Sequence, residues 1–204
     1  MLQETFTTLL LQYTDDSHLI QHAWIEIEQS YTHKKRHYHT LAHLENILQH
    51  LLDVKDFIQD WNTTLFTLFY HDCIYNALAS DNEEKSAELA VKRMQQFNVP
   101  VPIIENCKAQ ILATKKHLEI SNLDTNYFID ADLCVLGQDI ETYTSYYKNV
   151  RKEYSMYPDL IYNLGRRKVL NHFLEMVRIY KTDYFFHKFE LQAKQNLKFE
   201  RSKL

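Results

Sequence analysis

Glycine and proline are scarce in this chain, and their scarcity excludes several folds. The 204 residues include only 2 Gly and 3 Pro. Sandwiches, barrels and Gly-rich phosphate-binding loops all need more turn residues than this. Leu, Lys, Glu, Gln and Ala, which are good helix formers, recur throughout instead. We therefore predict an all-α fold, and a chain of this length suits one domain over residues 1–204.

Cysteine is also scarce, and no long apolar run is present. Cys73, Cys107 and Cys134 are odd in number and widely spaced, which favours reduced, buried thiols over disulfides and hence a cytoplasmic protein. The N-terminus lacks a basic region, and Leu9-Leu10-Leu11 is too short for a signal peptide. Because no run approaches the roughly 20 apolar residues of a membrane span, we expect no membrane association.

Charge of one sign is not in large excess either. The 23 basic and 27 acidic residues give a net charge of −4, so we expect no binding to a nucleic-acid duplex. Histidine, in contrast, is abundant, with 11 residues. Imidazole binds divalent metals and transfers protons near neutral pH, which makes the positions of the histidines informative.

The apolar periodicity predicts a series of helices without a linker or repeat between them. Asp81 and Glu84 fit a capping box at the start of one helix, and Gly137 fits an αL cap at the end of another. Gly165 lies inside a predicted helix, which indicates close packing or a kink. The predicted helices cover 3–13, 17–31, His39 to about Gln59, Asn62 or Thr63 to about Tyr75, a segment from Asp81, 103–116, 127–136, 139–154, 158–181 and 186–201.

The stretch 65–75 organises the rest of the chain. It is apolar on every side of a helix, which predicts a helix buried in the middle of the domain. His71 and Asp72 lie side by side within it. A carboxylate taken out of water costs several kcal/mol unless something pairs with it. For an adjacent His and Asp, a metal ion is the natural partner.

Two further segments supply candidate ligands. His39 and His43 are i,i+4 neighbours on a polar stripe of the helix predicted to begin near residue 39. Asp130 and Asp132 lie about 200° apart on an apolar helix, so they cannot both point at one site. Asp132 has the more apolar i±3 and i±4 neighbours. We therefore predict that Asp132 is the deeper of the two and the better ligand.

His43, His71, Asp72 and Asp132 together form the predicted metal site. Two imidazoles and two carboxylates suit one divalent transition ion, which would be Mn²⁺, Fe²⁺, Ni²⁺, Co²⁺ or Zn²⁺, with Mg²⁺ as an alternative. Water on such an ion becomes a usable nucleophile near neutral pH, and the ion polarises a phosphoryl oxygen. This combination favours hydrolysis of a phosphate ester.

The H…HD…D series resembles the signature of the HD superfamily of metal-dependent phosphohydrolases. The segment 36–43, Arg-His-Tyr-His-Thr-Leu-Ala-His, is similar to the YHxxxH segment of that superfamily, and Tyr70-His71-Asp72 is similar to its HD helix. The likeness covers nearly the whole chain, which resembles a bacterial group of phosphohydrolases with a single HD domain. It implies an HD-domain-like helical bundle with additional N- and C-terminal helices. The further matching segments are 81–87, 113–117, 130–133, 150–154 and 165–166.

The resemblance also implies roles for individual residues. His43 would bind the metal, and His39 would act as general acid, with a supporting or helix-capping role as the alternative. Asp72 would bind the ion and orient or deprotonate the attacking water. One tightly bound metal is expected, because this chain has a single histidine, His117, in the segment where two-metal HD proteins carry more. The residues expected to face substrate phosphate or a weak second ion are Arg36, Glu83, His117, Arg151 and Arg166. The alternative for the arginines is solvation at the surface. The alternative for Glu83 is a solvated position at the start of a helix.

The predicted function is metal-dependent hydrolysis of a small phosphorylated substrate, which would be a nucleotide or another phosphorylated metabolite. The alternative is a non-catalytic sensor that binds a nucleotide or a metal in an HD fold. A di-iron oxygenase, which some HD-fold proteins are, would need more histidine ligands than the sequence places. The aromatic C-terminal helices could bury a homodimer surface, so the oligomeric state stays open.

Overall fold

The computed structural model describes residues 1–204, which form ten α-helices, two short 3₁₀ helices and no β-strand. The predicted all-α helical bundle is thus confirmed. None of the helices combines the length and the apolar character that a membrane crossing requires. The helices are α1 (Leu2–Leu10), α2 (Ser17–Tyr31), α3 (Leu41–Asp53), α4 (Trp61–Tyr70), α5 (Asn82–Gln96), α6 (Val101–Thr114), α7 (Leu123–Asp132), α8 (Ile140–Glu153), α9 (Asp159–Glu175) and α10 (Asp183–Arg201), and the 3₁₀ helices cover Lys55–Phe57 and Leu133–Gly137.

The chain divides into two compact units, Met1–Ile129 and Asp130–Leu204. The division falls inside α7, which continues without interruption from Leu123 to Asp132. Asp132 is therefore the last residue of a helix that begins in the first unit.

Helix α4 is the centre of the first unit. It packs against α1, α3, α5 and α6. Every residue from Thr63 to Tyr70 is buried, as the uninterrupted apolar sequence predicts. The hydroxyl of Thr67 is accommodated there because it donates a hydrogen bond to the side-chain oxygen of Gln110 at 2.7 Å. The prediction of a central buried helix is confirmed.

Both ends of α4 differ from the prediction. The N-cap is Asp60, whose carboxylate accepts a hydrogen bond from the N–H of Thr63 at 2.9 Å, and not Asn62 or Thr63. The last helical residue is Tyr70, and not a residue near Tyr75. The predicted helix was therefore too long at its C-terminal end.

The early end of α4 is caused by side chains from distant parts of the sequence. The carbonyls of Asp72 and Cys73 accept hydrogen bonds from Arg36 at 2.7 and 2.9 Å. The N–H and C=O of Ile74 both bond to the hydroxyl of Ser86, at 3.1 and 3.2 Å. Backbone groups that could have continued the helix are satisfied elsewhere. The adjacent histidine and aspartate of the predicted site consequently lie in a turn beyond the helix.

Helix α3 is shorter than predicted. It begins at Leu41, with Thr40 at the N-cap position, and ends at Asp53. A 3₁₀ helix over Lys55–Phe57 replaces its predicted last turn. The histidine predicted to begin the helix, His39, therefore precedes it.

The start of α5 also departs from the prediction. Asp81 is at the N-cap position, but its side chain makes no capping hydrogen bond. Its carboxylate instead pairs with Lys85 at 2.9 Å, and Glu84 pairs with Lys115. The predicted capping box is therefore wrong, because both carboxylates have lysine partners within reach.

In the second unit, the 3₁₀ helix Leu133–Gly137 packs against α8 and α10, and α10 packs against α9. Gly137 does not have a positive φ, so the predicted αL cap is wrong. A Cβ at Gly137 would lie 2.5 Å from the Cβ of Phe189, so glycine here permits a close approach to α10. No atom lies within 4 Å of the Cβ position of Gly165, so the close packing predicted there is also wrong.

Helix α9 ends at Glu175 and not at residue 181. The chain then bends, and two carboxylates hold the bend. Glu190 accepts hydrogen bonds from the N–H groups of Ile179 and Tyr180 at 2.9 and 3.2 Å. Asp130 accepts hydrogen bonds from the two N–H groups that follow, at 2.8 and 2.7 Å. These backbone donors are satisfied outside any helix, which explains why the apolar pattern overestimates α9.

Candidate metal centre

His71 lies just beyond the end of α4, and a carbonyl of that helix orients its ring. Its Nδ1 atom is 3.0 Å from the backbone oxygen of Leu68. Because a carbonyl oxygen can only accept, Nδ1 carries the proton of the neutral ring and the lone pair is on Nε2. Hydrogen bonds of this kind fix metal-binding histidines in position. The side chain is buried and packs edge-on against Phe128.

Three histidines converge on the carboxylate of Asp72. Its Oδ2 atom is 3.4 Å from Nε2 of His71 and 4.0 Å from Nε2 of His43. It is 3.8 Å from Nε2 of His39. These separations exceed those of hydrogen bonds. Ligands at about 2.1 Å from one ion lie roughly 3–4 Å apart, so the separations fit groups that share a metal.

A carboxylate from α7 joins two of these histidines. One ligand atom from each of His43, His71 and Asp132 lies within 4.8 Å of the others, with both histidines buried and the aspartate half-buried. Together with Asp72, the donor set is two imidazoles and two carboxylates. This set suits a divalent transition ion. The residues present therefore fit the metal that the sequence predicts.

Asp130, and not Asp132, is the deeper aspartate of α7. Asp130 is fully buried, and its carboxylate accepts hydrogen bonds from two backbone N–H groups and from the hydroxyl of Thr182 at 2.7–2.8 Å. Burial raises its pKa above the ordinary value of an aspartate. The depth prediction is wrong because sequence neighbours do not reveal backbone donors 51 and 52 residues away. Asp132, the predicted ligand, is the aspartate that lies with the two histidines.

Burial disfavours the thiolate form of Cys73, the cysteine beside the site. Burial raises the pKa of the Cys73 thiol to about 11 and that of Cys107 to about 12. A thiol must lose its proton to bind a metal strongly. All three cysteines of the chain are buried thiols, as predicted.

His39 lies at the edge of the cluster, next to Asp72. Its side chain is 19% exposed, and its ring packs against Tyr75 and Tyr38 with centroids 4.3 and 4.9 Å away. A partly exposed imidazole beside a carboxylate is suited to proton transfer with a bound substrate. Thr40, and not His39, is at the N-cap position of α3.

Arg36 contributes to the backbone of the site. Its guanidinium donates hydrogen bonds to the carbonyls of His39, Asp72 and Cys73 at 3.2, 2.7 and 2.9 Å. The side chain is buried. These contacts account for Arg36 without the substrate phosphate that the sequence predicts for it.

Glu83 and His117 are not members of the three-residue ligand cluster. Glu83 is half-buried in the first turn of α5, and its carboxylate is 3.9 Å from the ammonium of Lys115. Lys115 also pairs with Glu84 and donates to the carbonyl of Ser80 at 2.6 Å. His117 follows α6 with a φ of 50°, which is uncommon for a residue other than glycine.

The two predicted arginines of the second unit have partners inside that unit. Arg166 is buried and makes a bidentate ion pair with Glu200 at 2.7 and 2.9 Å. Arg151 binds the carboxylate of Asp159 at 2.6 Å and two backbone carbonyls of the loop between α8 and α9. Both guanidinium groups therefore stabilise the second unit, and their predicted contact with substrate stays a prediction.

Two tyrosines at the site were missed by the sequence interpretation. The hydroxyl of Tyr31 accepts a hydrogen bond from the N–H of Asp72 at 3.2 Å. Tyr75 packs on the ring of His39. Both tyrosines lie close in sequence to the two histidine motifs, which was a signal that could have indicated them. Tyr31 is at the end of α2, and Tyr75 is four residues after His71. Helical periodicity could not use that signal, because the chain leaves the helix before Tyr75.

Comparison with known proteins gives no relative for this chain. No protein-family profile, no curated protein and no solved structure matches it. The likeness to HD phosphohydrolases therefore rests on the motifs in the sequence.

Proposed function

We propose that this chain is a metal-dependent phosphohydrolase that acts on a nucleotide or another small phosphorylated metabolite. One observation carries the proposal: three imidazole nitrogens lie 3.4–4.0 Å from a single carboxylate oxygen of Asp72, with Asp132 beside two of the histidines. A neutral imidazole with its lone pair on Nε2 and a carboxylate are both electron donors. Donors that converge in this way are suited to a shared cation.

His43, His71, Asp72 and Asp132 would hold one divalent ion. When bound, such an ion lowers the pKa of a water molecule and polarises a phosphoryl oxygen. The bond from His71 to the carbonyl of Leu68 holds the Nε2 lone pair of that ring toward the site. His43 is 4% exposed and His71 is 1% exposed, so both rings are preorganised by the surrounding core.

Asp72 and His39 would divide the proton transfers between them. Asp72 would orient the attacking water and accept its proton, and His39 would donate a proton from its ring to the leaving oxygen. Their reactive atoms are 3.8 Å apart, and both side chains are partly exposed, at 18% and 19%. A small phosphate ester could therefore contact both groups, and solvent could restore their protons after turnover.

The test is phosphate release from a panel of nucleotides and phosphomonoesters with Mn²⁺, Ni²⁺, Co²⁺ or Mg²⁺ added. The wild type is expected to hydrolyse some of these compounds, and Asp72→Asn should lose at least ~100-fold of that rate. His39→Gln should lower kcat by about 10²–10⁴-fold and leave metal affinity unchanged, because it removes only a proton donor.

The pair His50 and Asp53 supplies the matched control. These residues lie at the other end of α3, with Nδ1 and Oδ2 atoms 3.9 Å apart, and they are outside the ligand cluster. His50→Gln and Asp53→Asn should leave phosphate release within about 2-fold of the wild type. Metal binding and nucleotide binding without any phosphate release would favour the sensor alternative, and equal activity in wild type and Asp72→Asn would contradict the proposal.

A further inference from the structure

The guanidinium of Arg36 connects the two segments that carry the proposed proton donor and acceptor. Its Nη1 atom donates to the carbonyl of His39 at 3.2 Å and to that of Asp72 at 2.7 Å, and Nη2 donates to the carbonyl of Cys73 at 2.9 Å. The second segment lies 36–37 residues further along the chain than Arg36. We call this set of three hydrogen bonds the Arg36 bridge.

The chemistry of the bridge requires arginine. A guanidinium presents several donors at fixed angles in one plane, whereas the ammonium of lysine is a point charge on a flexible stem. The Cζ atom of Arg36 is 4.8 Å from the ring centroid of Tyr31 and 5.4 Å from that of Tyr75, within the range of cation–π attraction. The residue is 9% exposed, so its removal would leave carbonyl groups without a donor at a largely buried position.

The same two tyrosines extend the bridge to the residues of the site. Tyr31 accepts a hydrogen bond from the N–H of Asp72 at 3.2 Å. The ring of Tyr75 is 4.3 Å from the ring of His39, with an angle of 32° between their planes. Arg36 thus holds the backbone of His39 and Asp72 directly, and it packs against a further neighbour of each.

We propose that Arg36 is a positioning residue, which sets the separation between His39 and Asp72 and does not itself contact the substrate. The kinetic consequence rests on the proposed function, whereas the structural consequence can be measured without any activity. The proposal replaces the sequence-based expectation that Arg36 binds substrate phosphate.

The kinetic test compares Arg36→Ala and Arg36→Lys with the wild type on a phosphate ester that the wild type hydrolyses. Both variants should lose at least ~10-fold in kcat, with KM within about 3-fold, because the bound substrate meets a displaced proton donor. Millimolar guanidinium should restore part of the kcat of Arg36→Ala. A raised KM with unchanged kcat would show substrate binding instead and would overturn the proposal.

The structural test uses the nuclear Overhauser effect between the ring protons of His39 and Tyr75. It should be strong in the wild type, at least ~3-fold weaker in Arg36→Ala, and restored when guanidinium is added. An unchanged effect in both Arg36 variants would overturn the positioning role. This measurement needs no substrate, so a wild type that hydrolyses nothing would contradict the proposed function and leave the bridge separately testable.

Arg93 provides the matched control in the same unit. It makes a bidentate ion pair with Glu26, with both N–O distances 2.6 Å, and its side chain is 21% exposed. Arg93→Ala also removes a paired guanidinium, which in addition donates a hydrogen bond to the side chain of Gln96 at 3.2 Å. It should lower stability and leave kcat and the His39–Tyr75 effect within about 2-fold of the wild type. If Arg93→Ala and Arg36→Ala lost equal amounts of kcat and of the His39–Tyr75 effect, general destabilisation would explain both variants, and the proposal would be overturned.

Discussion

The second unit contains a buried polar cluster that contrasts with the histidine site. There, the carboxylate of Glu200 accepts two hydrogen bonds from Arg166 and one from the hydroxyl of Tyr143, at 2.5–2.9 Å. Burial, together with the nearby Glu200, raises the pKa of Tyr143, so its hydroxyl remains a donor at neutral pH. Donors meet acceptors, and the charges of the ion pair cancel.

At the histidine site, groups of the same kind converge instead. The Nε2 atoms of His71 and His43 lie 3.4 and 4.0 Å from one carboxylate oxygen of Asp72. The first arrangement is complete as it stands, whereas the second has the donor set that we propose holds a cation. The contrast teaches that burial alone does not identify a functional polar cluster, and that the match between donors and acceptors must also be examined.

Removal of the carboxylate of Glu200, which is the centre of the buried polar cluster in the second unit, should have the largest effect on stability. Glu200→Ala leaves the buried guanidinium of Arg166 without its counter-ion, and loss of one partner from a buried pair costs about 3–5 kcal/mol. Urea denaturation should show a decrease of this size in the free energy of unfolding. Glu175→Ala, at the exposed end of α9, is the control and should change it by less than ~0.5 kcal/mol. An effect of Glu200→Ala as small as that of the control would contradict a stabilising role for the ion pair of Glu200 and Arg166.

The two aspartates of α7 should show the same contrast within one helix, because Asp130 meets hydrogen-bond donors and Asp132 lies with other electron donors. Asp130→Asn places an amide where the carboxylate accepts three hydrogen bonds, so we expect a loss of about 2 kcal/mol in metal-free protein. Asp132→Asn should cost less than ~1 kcal/mol under the same conditions, because Asp132 is half-buried among other electron donors. Urea denaturation in the presence of a chelator measures both values. A larger loss of stability for Asp132→Asn than for Asp130→Asn would contradict this difference between the two aspartates.

A buried thiol shows the effect of burial without an ionic partner. Burial raises the pKa of Cys107 from 9.0 to about 12, so the unfolded chain loses this proton at lower pH than the folded chain. The associated stability is fully present below pH 9 and is lost as pH rises toward about 12, with a loss on the order of 1 kcal/mol at pH 10. The free energy of unfolding of Cys107→Ala should therefore fall less between pH 8 and pH 10 than that of the wild type. Equal falls would show that Cys107 does not contribute to the alkaline slope.

Local sequence rules predicted the features that depend on neighbours in the chain. The buried helix α4, and the polar stripe of α3 that carries His43 beside the apolar stripe, follow from periodicity over ten or more residues. The end of α4 does not, because it depends on hydrogen bonds with the side chains of Arg36 and Ser86.

The same limit explains why the protein partners of two buried polar residues could not be predicted. Asp130 and Arg166 have partners that lie 34–52 residues away along the chain. Periodicity shows which face of a helix is buried, but not whether a polar side chain on that face meets a donor, an acceptor or a metal ligand. The individual candidate ligands could thus be identified from the sequence, whereas the closed partnerships of Asp130 and Arg166 could not.

The most direct test of the account is calorimetric titration of the metal-free chain with Mn²⁺, Ni²⁺ or Zn²⁺. We expect one site per chain in the wild type and in Asp130→Asn, a site at least ~10-fold weaker in Asp132→Asn, and no site in His71→Ala. A wild type that binds none of the three ions would contradict the metal centre. So would a variant His71→Ala that binds as tightly as the wild type.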